Sequence, residues 1–209
     1  ISESYLEDIQ KHKSPRKAQE GSEEVFIQIP ATTLKPTNLI YNFHETGYKL
    51  VTLKENDQYH LWEKQNDSLV KPMYTVEILS PDKIKIGEKT YSKINPFTEN
   101  KDTRILEEIL FKGSYTTKKG QKVEFKNNGE VSGLDKYKYY VPLIDYFDAG
   151  LQIDQVGLGE TRDKLEYFGF KFKGDGLDLY KIKCLAYEES EKRCVDVDFG
   201  EKVYQLKKE

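Results

Sequence analysis

The chain lacks any long apolar run. None approaches the roughly 18 residues a membrane-crossing helix requires, so no such helix is expected. Alanine is nearly missing, with four among 209 residues. That withholds the best helix former and moves the expectation toward strands. There are two cysteines, no CxxC, and no histidine near either cysteine, so the spacing of a zinc site is absent. Three histidines, His12, His44 and His60, and no GxSxG elbow give a nucleophile–base triad no support. Neither charge dominates: 33 basic residues stand against 36 acidic ones, net -3. The basic footprint of a nucleic-acid-binding protein is therefore missing. Gly157, Gly159, Gly169, Gly174 and Gly176 do not form a strand-to-helix GxGxxG, so no dinucleotide loop and no cofactor is expected. They suit bulges and turns.

What remains is a strand-forming composition. Fifteen tyrosines and ten phenylalanines supply much of the bulk, while 33% of residues are charged, so each core must be thin. Lysine and glutamate are mixed along the chain, as on a solvated surface. From Val25 onward, segments of five to seven residues recur between turn signals: VFIQI, NLIYNFH, YKLVTLK, QYHLWEKQ, MYTVEIL, KIKI and KTYSKI. This pattern predicts an all-β fold, mainly antiparallel, as a barrel or sandwich with one or two short helices.

The organisation follows from breaks in that pattern. Ser4-Tyr-Leu-Glu7 fits a capping box and predicts a helix near residues 4–12. His12–Glu24 has no apolar periodicity, so residues 1–24 are expected to be a flexible segment or linker. Residues 25–97 form a small antiparallel β domain in this reading. Ile105, Leu106, Ile109 and Leu110 make a helical stripe within a connecting helix over 98–112. Residues 113–209 form a second β unit. In it, Asn128-Gly129 between KVEFK and Glu130 predicts a hairpin with a type I′ turn.

The last stretch, Leu177–Lys207, reads as two long antiparallel strands with a third after Gly200. Alternation puts Tyr180, Ile182, Cys184 and Ala186 on the inner face. With the turn centred on Glu189, Cys184 and Cys194 fall opposite one another, so a disulfide is geometrically possible. It would add roughly 2–3 kcal/mol in the chain-entropy model. Two free, buried thiols are the alternative. Ile86-Gly-Glu-Lys-Thr-Tyr91 is echoed by Phe199-Gly-Glu-Lys-Val-Tyr204. The echo suits tandem β units each closed by a glycine turn, or else one continuous sheet with chance similarity.

The second half resembles the lipocalin-like domains of small secreted bacterial lipoproteins. The matching residues are Gly113-Ser-Tyr115, where the family has Gly-x-Trp, then KVEFKNNGEV, and the closing VYQLKK. The likeness covers about residues 111–209, with an insertion in the middle. It implies an up-and-down antiparallel barrel with a ligand cavity.

Aromatic residues concentrate in that insertion, and Tyr139, Tyr146, Phe147, Tyr167, Phe170 and Phe172 are the candidate ligand contacts. The other reading makes them barrel core. Asp145, Asp148 and Asp154 match no calcium loop and read as a solvated strand face. His44 and His60 could share a metal only if their strands pair, and exposed strand positions are the simpler reading. The chain opens at Ile1 rather than at Met, so a removed leader is expected. With opposed cysteines this indicates export, as a periplasmic, outer-membrane-anchored or cell-surface protein. The expected function is non-enzymatic binding of a small apolar or amphipathic ligand in the C-terminal unit. The alternative is a cell-surface module that binds another protein, and the third is a hydrolase whose site forms only on folding. The expected partners are thus a small ligand or a protein. Nucleic acid is not expected, and a membrane only through an N-terminal lipid anchor.

Overall fold

A computed structural model describes the chain except for residues 20–23, 30–35, 42–44, 67, 95–103, 145–151 and 191. The described residues are mostly strand, and every strand pair is antiparallel. They divide into two units, Ile1–Asp8 with Gln19–Pro96 and Ile9–Ala18 with Phe97–Glu209.

Helix α1, Glu3–His12, begins in the first unit. Its cap is Ser2, whose Oγ accepts from Tyr5 N at 3.3 Å. The start therefore lies two residues before the Ser4 capping box, because Ser2 is the hydroxyl that meets the free first-turn amide. Seven strands follow as a meander: β1 (Glu24–Gln28), β2 (Pro36–Tyr41), β3 (Glu45–Glu55), β4 (Gln58–Gln65), β5 (Ser68–Ser80), β6 (Lys83–Ile86) and β7 (Lys89–Ser92). Alternation puts Leu50, Leu61, Val76, Ile86 and Tyr91 in one buried cluster, with Tyr59, Tyr74 and Ile84 against it. Glu3 holds α1 to this sheet by pairing with Lys83 and accepting from Ser92 Oγ.

The second unit includes a short helix α2, Pro15–Gln19, inside the stretch expected to be a linker. Apolar periodicity fails to find so short a helix, but its ends are well defined. Proline at its first position needs no amide partner, and Ser14 Oγ accepts from Lys17 N at 3.3 Å. Asp154 Oδ1 accepts from Arg16 N at 3.0 Å, and Lys13 Nζ donates to Gly174 O at 2.6 Å, so the segment is tied down. The connecting helix expected over 98–112 is described only from residue 104. There Ile105 and Leu106 are helical and Glu107–Phe111 forms a π-helical turn.

Eight strands then close into a barrel: β8 (Gly113–Thr117), β9 (Lys122–Phe125), β10 (Glu130–Leu134), β11 (Tyr137–Pro142), β12 (Gln155–Thr161), β13 (Lys164–Lys173), β14 (Gly176–Glu188) and β15 (Arg193–Lys208). Closure joins β15 to β8 and β9 to β10. This is compatible with the lipocalin-like expectation. The turn at Asn128-Gly129 is not type I′. Gly129 has φ +76° while Asn127 and Asn128 do not take positive φ. The chain turns over Lys126–Gly129, with Gly129 N donating to Lys126 O. The strands therefore meet through a longer loop with glycine at its left-handed position.

The expected inner face of β14 holds only at Tyr180 and Ile182, which alternate with exposed Lys181 and Lys183. Leu177 and Leu179 are buried, Tyr180 and Ile182 are half-buried, and Cys184 and Ala186 are exposed. Irregularities in pairing with β15 between Leu179 and Ile182 change which residues face inward. The echo also dissolves. Gly87 lies in the turn between β6 and β7, whereas Gly200 lies inside the unbroken strand β15, so no third strand begins there.

Candidate functional site

Strand direction gives the barrel two distinct ends. The π-helical turn, the 126–129 loop and the 174–175 turn share one end, and the turns at 118–121, 135–136 and 162–163 share the other. The helical end is filled by Phe111, which is fully buried. Its ring lies 5.9 Å from Phe125, 5.5 Å from Tyr140, 5.0 Å from Phe170 and 5.4 Å from Phe172, centroid to centroid. Phe125 stacks edge-on with Tyr115 and Tyr140 in turn. Tyr140 Oη donates to Lys126 O and Tyr115 Oη to Phe111 O, so these phenols are satisfied. Burial pushes the Tyr115 hydroxyl up to about 12.

The other end carries a second aromatic group. Tyr137, Phe168 and Tyr204 contact in series, at 5.8 and 6.5 Å. Tyr137 Oη donates to Glu166 Oε2 at 2.6 Å, and Tyr204 Oη donates to Asp135 Oδ2. Both tyrosine pKa values are raised, by burial first and then by their carboxylate partners. Each therefore stays a donor across the neutral range. The first joins β11 to β13, which are not neighbours, and the second ties β15 to the turn between β10 and β11, both at the barrel mouth.

Of the residues singled out in the sequence, Phe170 and Phe172 come together, while Tyr139 and Tyr167 lie apart from them. Phe170 is buried within the barrel and Phe172 lies against Phe111 and Phe170. Tyr167 is exposed on the outer face, and Tyr139 sits beneath the Arg162 guanidinium at 4.8 Å. Tyr146 and Phe147 lie outside the described residues, as do Asp145, Asp148 and His44. Asp154 serves the α2 contact described above. His60 faces Thr75 at 3.5 Å. The mouth residues Asp135, Glu166 and Tyr204 escaped the sequence reading. Tyr204 is 69 residues from its partner, and no local pattern carries so distant a pairing.

A third feature is the far half of the β14–β15 hairpin. β14 pairs with β13 only as far as Lys181, opposite Phe168. β15 meets β8 only from Leu206 onward. Between these limits the two strands form a ribbon that leaves the barrel wall. Phe199 anchors its base on Gly169, where an added Cβ would lie 2.9 Å from the ring, so only glycine permits that approach. Tyr180 flanks Phe199 at 5.1 Å and Lys171 Nζ lies 3.7 Å from its centroid.

Cys184 and Cys194 form a disulfide across this ribbon, with Cα atoms 5.7 Å apart. They are not register partners, since Cys184 faces Val197 and Cys194 faces Tyr187. The offset follows from where the hairpin turns, since Glu188 faces Arg193 and the turn is not centred on Glu189; Leu185 and Val195, each an extra residue in its strand, cancel one another in register. Both are exposed, by 51% and 40%, as is Tyr187 by 53%. Strand β5 also exposes Leu69 and Val70, where it pairs only with β4, and Ile78 and Leu79, where it pairs only with β6. On the ribbon, the outer edge of β15 receives Gln152, whose Oε1 accepts from Val197 N at 3.3 Å. Among the described residues, no strand pairs with the outer edge of β14 beyond Lys181.

No family model matches this chain, and neither does any curated protein or solved structure.

Proposed function

We propose that this chain is an exported, non-enzymatic binding protein that holds another protein on its disulfide-braced ribbon. The open outer edge of β14, flanked by exposed Leu185 and Tyr187, carries this reading. An unpaired edge offers a row of backbone donors and acceptors, and alternate side chains beside it supply selectivity. The disulfide limits the freedom the ribbon would lose on binding. The filled helical end of the barrel favours contacts made outside over a ligand held within. A disulfide at an exposed position suits an oxidising compartment.

The test is photocrosslinking in the producing cell. A photoreactive phenylalanine replaces Tyr187 in one variant and Lys164, on the barrel, in another. A discrete protein adduct from position 187 and none from 164 supports the reading. Equal or absent adducts at both positions overturn it.

A small amphipathic ligand at the barrel mouth is the second reading. Tyr137, Phe168 and Tyr204 with Glu166 and Asp135 favour it, because they combine apolar rings with fixed polar groups at an opening. Such a ligand would enter by displacing the two phenol–carboxylate hydrogen bonds.

A further inference from the structure

The ribbon's charge order names a partner. From Lys181, the last rung shared with β13, the side chains run Lys181, Lys183, then Leu185 and Tyr187, then Glu188 at the end of β14 and Glu189 in the turn beyond it. All six are exposed. The strand is basic at one end, apolar in the middle and acidic at the other. Such a strand complements itself when antiparallel and repels itself when parallel. We propose that the partner on the open edge of β14 is a second copy of this chain, paired antiparallel about a two-fold axis near Ala186. This inference rests on the ribbon reading above and specifies its occupant.

In that register Lys183 meets Glu189 of the second copy, and Leu185 meets Tyr187 of the second copy. Each contact occurs twice, as an isologous interface requires. Among the described residues, no side-chain hydrogen bond or ion pair engages Lys183 or Glu189. Lys181 pairs with Glu201 at 3.1 Å, with both side chains well exposed, and Glu188 accepts from Ser190 Oγ. Neither contact uses Lys183 or Glu189. Lysines on an edge normally block strand addition. Here they block strands lacking an acidic end and admit the one that matches, so the same charges exclude and select. The bulge at Leu185 turns an extra apolar side chain out at the centre of the contact. The disulfide beside it holds the ribbon ready where the barrel wall gives no support.

The test uses the full-length chain, in equilibrium sedimentation over a concentration series. Wild type sediments as a dimer that dissociates on dilution. Lys183→Glu places Glu against Glu at both contacts, and Glu189→Lys places Lys against Lys, so each variant alone dissociates at least about tenfold more readily. Mixed in equal amounts, the two variants restore both opposite-charge contacts and form a mixed dimer as tight as wild type. Recovery on mixing also shows that each variant is folded. A wild type that is monomeric at every concentration, or a mixture that stays monomeric, overturns self-pairing. If a Tyr187 crosslink then reaches a different protein, the ribbon reading stands without it. If position 187 yields no adduct, the ribbon reading fails as well.

Discussion

Truncating Phe111 to alanine tests whether the helical end of the barrel is filled. The ring is fully buried and touches four others at 5.0 to 5.9 Å. Removing a core phenylalanine costs about 3–5 kcal/mol, from lost transfer energy and the cavity left behind. Aromatic pairs add about 0.5–1.5 kcal/mol each, partly within that range. The expected loss for Phe111→Ala is therefore about 4 kcal/mol. The readout is native-state hydrogen exchange at the Val156 and Leu158 amides in β12, which are fully buried barrel positions. Their exchange should accelerate about a thousandfold, since each 1.4 kcal/mol is about tenfold. The new cavity is lined by rings, so benzene should bind the variant and restore protection, as in other dry apolar cavities. Phe111→Leu, a milder change, should cost less than half as much and guards against a variant that fails to fold. A loss below about 1 kcal/mol for Phe111→Ala would mean the ring borders open space, and the filled interior would be refuted.

Three further outcomes follow from the geometry. Gly129→Ala forces a positive φ of +76° on alanine and sets its Cβ 2.3 Å from Arg104 Nη1 and 3.1 Å from Tyr140 O; a loss of about 1–3 kcal/mol in chemical denaturation is expected. Burial raises the Asp178 carboxyl, but the Lys202 and Tyr180 hydrogen bonds and the Lys202 and Lys173 charges outweigh it and hold its pKa below the ordinary value. That stabilisation is present above about pH 4 and is lost as pH falls through the lower folded pKa, so Asp178→Asn should cost about 1–2 kcal/mol at pH 7 and flatten the acid limb of the stability profile. Asp154 shifts the other way, because burial raises its pKa despite the Ser14 and Arg16 hydrogen bonds. Its contribution is complete below about pH 4 and lost as pH rises through the higher folded value, so Asp154→Asn, which can still accept from Arg16 N, should remove that decline and leave the protein no less stable at pH 7.

Much of the fold was legible because strand periodicity is local. The seven segments from VFIQI to KTYSKI correspond to β1 to β7, though β5 begins five residues earlier, at Ser68, and residues 42–44 of the second segment lie outside the described residues. The Cys184–Cys194 bridge was also legible, although the cysteines are not directly opposed, because the turn is not centred on Glu189. A register shift after Leu179 is why Leu177 and Leu179 were placed on the wrong face of β14, since one extra residue reverses the side chains on its far side. Ser2 and Ser14 show that capping can be read to the right residue only when the free amide is known. The mouth cluster had no local signature, because Tyr137–Glu166 and Tyr204–Asp135 depend on closure of the barrel. The open edge of β14 was illegible for the same reason, as it depends on where β13 parts from β14.

The central claim, binding on the outside of the ribbon rather than within the barrel, meets its most direct test in native mass spectrometry of the purified full chain. The account predicts a species of twice the chain mass, without small-molecule excess. A single chain carrying an excess that is lost on denaturation would contradict it and give the barrel mouth the binding role.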